Sequence, residues 1–328
     1  MALSLSEVQA LSDDRWQPGV YPQWGKGNIM FYELMKKKER AGSSEYARVL
    51  LEYAKTRGGP FGAASTFDTS KKAQYNAARF PWGFFWTGAT IDIDDEVKIS
   101  GGPEQIKLVY KKVDSMRESI KAYIGDSLWE LYSTQQATYG ADTKPLYGIA
   151  DMMNQSDTSP AFGLINKADL GTSDYGTNIW LAFQDATEYT MDFSTMQVLR
   201  RGCRTGNETF NKPNLYVTDE VQKDRFEESL DSGKRHYSDE MAKAGFEHVM
   251  VGSSGPLVAD DRCPASYVHG FNTKHLYFQV HEDFDFETRL VWMTPTNQPI
   301  KTTQLKVVPA FLTDERRAHG RLTKLTTT

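Results

Sequence analysis

Cysteine is nearly missing from this chain. Two residues, Cys203 and Cys263, stand among 328, too few for the disulfide framework of a small secreted domain and consistent with a reducing cytoplasm. Long apolar runs are missing as well. No stretch approaches the ~20 residues that a membrane-spanning helix needs, and mean hydropathy is −0.55. Met1 to Val8 carry neither a basic start nor a sustained apolar segment, so no signal peptide is expected. Positive charge is not in excess: 38 Lys and Arg stand against 43 Asp and Glu, a net charge of −5. A protein that holds nucleic acid through a general basic surface would show the opposite balance. Gly101-Gly102 precede a helical pattern, but no Lys-Ser/Thr pair follows them, and no dinucleotide-binding glycine fingerprint is present. No cofactor, metal or catalytic residue is therefore expected.

What the chain does have is aromatic side chains, 12% of the total. Large rings dominate cores and interfaces alike, so extensive buried contact is expected. Residues 1–45 read as an arm. Asp13 to Gly27 carry Pro18 and Pro22 with the isolated rings Trp16, Tyr21 and Trp24, and Asn28 to Arg40 read as one amphipathic helix ending in Lys36-Lys37-Lys38. Tyr46 to Tyr53 alternate as a strand, with Ala47, Val49 and Leu51 on one face and Arg48, Leu50 and Glu52 on the other. From Lys55 to Trp82 the chain is polar and glycine-rich, with five Lys or Arg (Lys55, Arg57, Lys71, Lys72, Arg79) against one Asp, Asp68. A structureless loop of that length is unusual inside a compact domain, so a two-stranded excursion is expected, returning along Phe84 to Ile93.

Gly101-Gly102-Pro103-Glu104 then open a helix, with proline in the first turn. Ile106, Val109, Val113, Met116, Ile120, Ile124, Leu128 and Leu131 recur at steps of three or four, one apolar stripe. Roughly 30 such residues span about 45 Å. Further helices are expected near Met152, from Asp185 to Arg201 and from Asp219 to Leu230, the last capped by Thr218 with Val221 opening its apolar face. Short strands are expected at His248–Val251, Leu257–Ala259, Ser266–His269, Leu276–His281, Arg289–Met293 and Thr303–Pro309. No internal repeat is visible. The order of elements gives an α+β chain rather than a doubly wound sheet.

Four groups of residues invite a chemical reading, each with a plainer one beside it. His269, His275 and His281 are spaced six apart, followed by Glu282, Asp283 and Asp285. A metal-dependent hydrolase would need them converging on one ion, yet residues six apart on a strand lie about 20 Å from each other; structural or surface histidines are the plainer reading. Cys203, between Arg201 and Arg204, has the cationic surroundings of an activated thiol but no histidine base nearby in sequence. Cys263, before Pro264, reads as packing in a turn. Gly252-Ser253-Ser254-Gly255 lacks the full spacing of a serine-nucleophile turn. Asp92, Asp94, Asp95 and Glu96 lack the glycine and distal glutamate of a calcium loop. They read as a solvated turn, or as an acidic patch on which Lys71, Lys72 and Arg79 of a neighbouring copy rest. Such charge pairs fix register more than affinity.

The C-terminal third carries a series of segments in fixed order: Pro213 to Thr218, a charged helix from Asp219 to Leu230, Gly245 to Val251, Gly255 to Pro264, Tyr267 to Leu276, and Glu315 to Leu322. This series resembles the major capsid proteins of tailed bacteriophages, the Hong Kong 97-like family, over roughly Tyr46 to Leu322. The resemblance implies an N-terminal arm (1–45), an extended loop (46–93), a peripheral domain with a long spine helix (94–144), an axial domain (145–265), and strands returning to the peripheral domain (266–328). It implies a chain that makes no chemistry and builds an icosahedral shell of pentamers and hexamers around double-stranded DNA, with no membrane, a separate scaffolding protein and a portal. Lys71, Lys72, Arg79, Asp92, Asp94, Asp95, Glu96, Trp16 and Trp24 become expected contacts between copies. An encapsulin-type nanocompartment shell is the alternative within the same fold. Two features depart from the family pattern: Trp180 follows Gly171–Gly176 without the usual arginine, and no coiled-coil scaffolding segment precedes residue 40. Excision of Gly58 to Ala78 is expected to leave the subunit folded but unable to close shells.

Overall fold

A computed structural model describes residues 28–42, 44–62, 66–67, 69–92, 102–155, 161–165, 180–203, 212–230, 248–252, 254–286, 292–294 and 300–326, with only the backbone of 102–110. Helix α1 spans Ile29–Lys36 and is followed at once by strand β1, Lys38–Ala41. The side chain of Asn28 accepts a hydrogen bond from the Phe31 amide at 2.8 Å, which caps the helix. The helix expected to run to Arg40 thus stops at Lys36, because residues 38–41 pair in parallel with a late strand, β10, Leu276–His281. Ile29, Met30 and Leu34 are buried among the aromatic side chains of the core, with Phe31 edge-on to Phe278 and Phe286. An amphipathic helix gains more from burying its face than from lying free.

Strand β2, Tyr46–Glu52, pairs antiparallel with β3, Tyr75–Pro81. The expected return along Phe84 to Ile93 is therefore a correction. Phe85–Asp92, strand β4, leaves the hairpin and pairs with β11, Ile300–Val307. The alternation on β2 does hold, with Ala47 and Leu51 buried and Arg48, Leu50 and Glu52 exposed.

Helix α2 runs Gly102–Trp129, and Met116, Ile120, Ile124 and Leu128 form its buried stripe. It ends before Leu131, which instead precedes a second helix, α3, Tyr132–Tyr139. Gly125 of α2 faces α1, where a Cβ would collide with the Asn28 amide group. The two helices approach closely because that position carries none.

Two smaller helices, α4 at Ile149–Met153 and α5 at Phe193–Gly202, differ in how they match the sequence. The first lies where expected. The second begins eight residues later than expected, because Phe183–Asp185 is a strand, β5, and Asp192 is the residue whose carboxylate accepts from the Thr195 amide at 2.7 Å. Strand β6, Leu215–Thr218, ends before helix α6, Glu220–Ser229. Thr218 is not its cap. The Thr218 hydroxyl donates to the Tyr267 carbonyl at 2.7 Å, and Val221 is exposed while Gln222 and Phe226 turn inward.

The remaining strands are β7 at His248–Met250, β8 at Pro256–Ala259, β9 at Val268–Phe271, β12 at Pro309–Thr313 and β13 at Gly320–Leu322. The expected strand at 289–293 falls largely outside the described residues, with Met293 bridging Thr302. One sheet has the order β5-β13-β9-β6-β8-β7, another β1-β10-β12. The late strands therefore divide. β10, β11 and β12 join the elements of residues 38–92, whereas β9 and β13 enter the six-stranded sheet. His269 and Gly270 sit in register with both β6 and β13.

One buried cation ties these parts together. The Arg316 guanidinium donates to the carbonyls of Met152 at 2.6 Å, Trp180 at 3.0 Å and Asp151 at 3.2 Å, and to that of Asn154. It also lies over the Phe162 ring. The α4 carbonyls have no further helical turn to bond to, and the arginine supplies that partner. Burial pushes the nearby Asp151 carboxyl up to about 6, against the hydrogen bonds it accepts from Tyr132 and Gly148 and the Arg316 charge.

Candidate assembly interface

The β2–β3 hairpin has two unlike faces. Inward, Ala47, Leu51, Ala78 and Phe80 are buried, and Phe80 meets Phe162 edge-on at 5.1 Å. Outward, Leu50 is 72% exposed, Tyr75 is exposed, and Arg48 stands directly opposite Arg79. Two like charges at facing positions of an antiparallel pair oppose each other. Among the described residues neither arginine has an acidic partner. Arg79, one of the cations expected to meet a neighbouring copy, lies near the base of the hairpin, two residues before Pro81.

Beyond Glu52 and Tyr75 the connection carries the exposed cations Lys55, Arg57 and Lys71, with Lys72 half-buried. It also carries two rings that the described residues leave largely uncovered. Phe61 is 73% and Phe67 72% exposed, and they lean on each other at 5.7 Å. Sequence reading singled out the cations here and passed over the phenylalanines, whose only signal was two rings in a polar, glycine-rich stretch.

At the other end of the hairpin lies a half-open cleft of about 510 Å³. Its walls are mostly aromatic: Tyr46, Trp82, Phe84, Tyr132 and Phe284, with His281 among them. The Trp82 indole donates to the Ser44 carbonyl at 2.8 Å, and its ring meets His281 edge-on. Lys144 lies over the Phe84 ring. Glu45 is part of the lining, and Glu282 and Asp283 stand exposed in the turn between His281 and Phe284. Six separate stretches of chain build this cleft, so no local pattern announces it.

Of the other expected contact residues, Asp92 ends β4 opposite Ile300 and is half-buried. Asp94, Asp95, Glu96, Trp16 and Trp24 lie outside the described residues.

The residues considered for chemistry do not come together. His269 is buried in β9 among Trp129, Tyr267 and Phe271, with neither ring nitrogen hydrogen-bonded, and burial pushes it down to about 3. His275 pairs with Asp314 at 2.8 Å, and His281 faces the cleft. Asp285 is bound instead by Lys38 and Arg40 at 3.0 Å each. Among the described residues no group of three or more His, Cys, Asp or Glu is placed to hold a metal ion. The Cys203 and Cys263 side chains are buried, and burial pushes both thiols up, the reverse of an activated nucleophile. Ser253 lies outside the described residues.

Comparison with known proteins rests on shape. No family model and no curated protein sequence matches the chain. Among solved structures, the cyanophage A-1(L) capsid protein superposes with a TM-score of 0.65 at 11% identity, covering 91% of this chain and 92% of that one. The fold is that of a phage capsid protein. The capsid protein of the Myoviridae phage XM1 agrees at a TM-score of 0.55 and 11% identity, over 95% and 97% of the two chains. The holo-SrpI encapsulin of Synechococcus elongatus gives 0.52 at 11% identity, over 100% and 98%. The capsid fold thus spans the length of the chain, helices and sheets together. No helix among the described residues is long and apolar enough to cross a membrane.

Proposed function

We propose that this chain is the major shell subunit of a tailed-phage capsid. Copies assemble into pentamers and hexamers of an icosahedral shell that encloses double-stranded DNA, with scaffold and portal supplied by other proteins. The subunit is a structural part and carries out no reaction. In this reading the β2–β3 hairpin is the extended loop, α2 is the spine helix, and the shell is a component of the virion assembled in the host cytoplasm. Trp16 and Trp24 belong to an arm that packs on a neighbour. Lys71, Lys72 and Arg79 meet acidic groups of the next copy, with Asp92, Asp94, Asp95 and Glu96 as one such group.

The observation that carries this reading is the pairing of a capsid fold over nearly the whole chain with a hairpin whose outer face holds the exposed apolar side chains Leu50, Tyr75, Phe61 and Phe67. A face of this kind is worth its exposure when a neighbour covers it. The encapsulin match favours a second reading, a nanocompartment shell around a protein cargo. Material that copurifies with the shells separates the two, since DNA fits the first and a bound protein the second.

Sedimentation velocity of the native chain and of a tip-excised variant tests the proposal. The excision must spare β3, because Ala78 is buried, so it runs from Gly58 to Lys72 rather than to Ala78. The native chain is expected to form large closed particles, and the variant to remain folded and small. Particles of native size from the variant would count against the lapping hairpin.

A further inference from the structure

The hairpin carries, at its two ends, the two halves of a contact. At the tip stand Phe61 and Phe67, bare and leaning on each other, amid Lys55, Arg57, Lys71 and Lys72. At the base opens the aromatic cleft of Trp82, Phe84, Tyr132 and Phe284, with Glu45 in its lining and Glu282 and Asp283 exposed in the turn that joins its wall residues His281 and Phe284. The apolar surfaces match in kind, and the charges around them are opposite in sign.

The tip cannot serve its own cleft. Ser44 and Glu45 precede β2 and Trp82 follows β3, while Phe61 and Phe67 lie beyond the far ends of both strands. Seven paired residues at ~3.3 Å each separate the two ends by roughly 20 Å. A contact between unlike patches on identical subunits is heterologous, and when the rotation between copies closes, it generates a ring.

We propose that the Phe61–Phe67 pair of one copy seats in the Trp82–Phe84–Phe284 cleft of the next, so that each hairpin is gripped at its neighbour's hairpin base. This deepens the shell reading and rests on it. The rings supply burial, and the carboxylates of Glu45, Glu282 and Asp283 meet the tip lysines and so fix which way round the tip enters. Lys144, on the cleft wall, is already held over Phe84 and leaves this end net acidic.

Two single variants, Phe67→Cys and Glu45→Cys, test the contact directly. Both native cysteines are buried and silent to mild oxidation. Mixed before assembly and oxidised afterwards, the variants are expected to give disulfide-linked heterodimers on a non-reducing gel. A double variant is expected to give a ladder of linked copies. Val221→Cys, exposed on α6, which contributes nothing to the cleft lining, replaces Glu45→Cys as the control and is expected to give background only. Assembled particles that cross-link no better than the control would overturn the seat while leaving the shell reading intact. A native chain that never assembles, with its scaffolding protein or without it, would overturn both. As a second readout, Phe61→Ser with Phe67→Ser is expected to fold with unchanged circular dichroism yet lose at least ten-fold in particle yield; native yield from it would also overturn the seat.

Discussion

The surroundings of Arg316 and the outer face of the β2–β3 hairpin show opposite solutions to the same problem. Around Arg316 a charge is buried, and four carbonyls, a ring and a nearby carboxylate answer it within one subunit. On the hairpin, Arg48 faces Arg79 and the rings of Phe61 and Phe67 face outward, with no such answer among the described residues. The first region is complete as a monomer. On the proposed reading, the second makes energetic sense when another copy supplies the missing surface.

The largest effect on subunit stability is expected at the complete end. Arg316→Met should cost roughly 3–5 kcal/mol, because it strands several buried carbonyls at once; chemical denaturation of the variant measures it. A loss below about 1 kcal/mol would mean that the carbonyls find other partners.

A second effect concerns buried histidine. His269 and His319 are each pushed down to about 3 by burial. The unfolded chain therefore binds their protons first, and their contribution is complete above the ordinary value of about 6.5 and lost as pH falls toward 3. Asp151 and Asp260, each pushed up to about 6 by burial, act the other way, favouring the fold below about 4 and losing that contribution as pH rises through 6. His269→Phe removes one of the acid-sensitive contributions. Between pH 6 and 4 it should lose up to ~1.4 kcal/mol less per pH unit than the native chain, the worth of one proton. Denaturation midpoints across that range test this, and parallel pH curves would contradict it.

At the incomplete end, subunit stability should hardly respond. Phe61→Ser with Phe67→Ser should change it by less than ~0.5 kcal/mol, as for exposed positions generally, while assembly fails. Smallest of all, Arg79→Gln should leave the isolated subunit equal or a few tenths of a kcal/mol more stable by relieving its like-charged neighbour. Thermal unfolding of capsomer-free protein checks both. A marked loss of stability in either variant would mean that the hairpin's outer face supports its own subunit.

Sequence patterns revealed what is local. The period-two alternation on Tyr46 to Glu52 and the three-four spacing of Met116, Ile120, Ile124 and Leu128 each marked a buried face that the structure bears out. What they missed depends on distant partners. Nothing near Phe85–Asp92 shows that Ile300–Val307 would claim it in place of β2, and nothing near Asn28 shows that Gly125 leaves room for it. The start of α5 was missed because Asp185 and Asp192 are equally good caps in isolation, and β13 decides by pairing Asp185 into a sheet. The cleft was illegible because its walls come from segments as far apart as Ser44 and Val308, while the tip it is proposed to receive was visible, though as charge rather than as a pair of rings.

Electron microscopy of the purified, concentrated native chain tests the central claim most directly. The account predicts uniform closed shells, or rings of five and six copies. A chain that stays a monomer at every concentration, with its scaffolding protein present as well as alone, would contradict it.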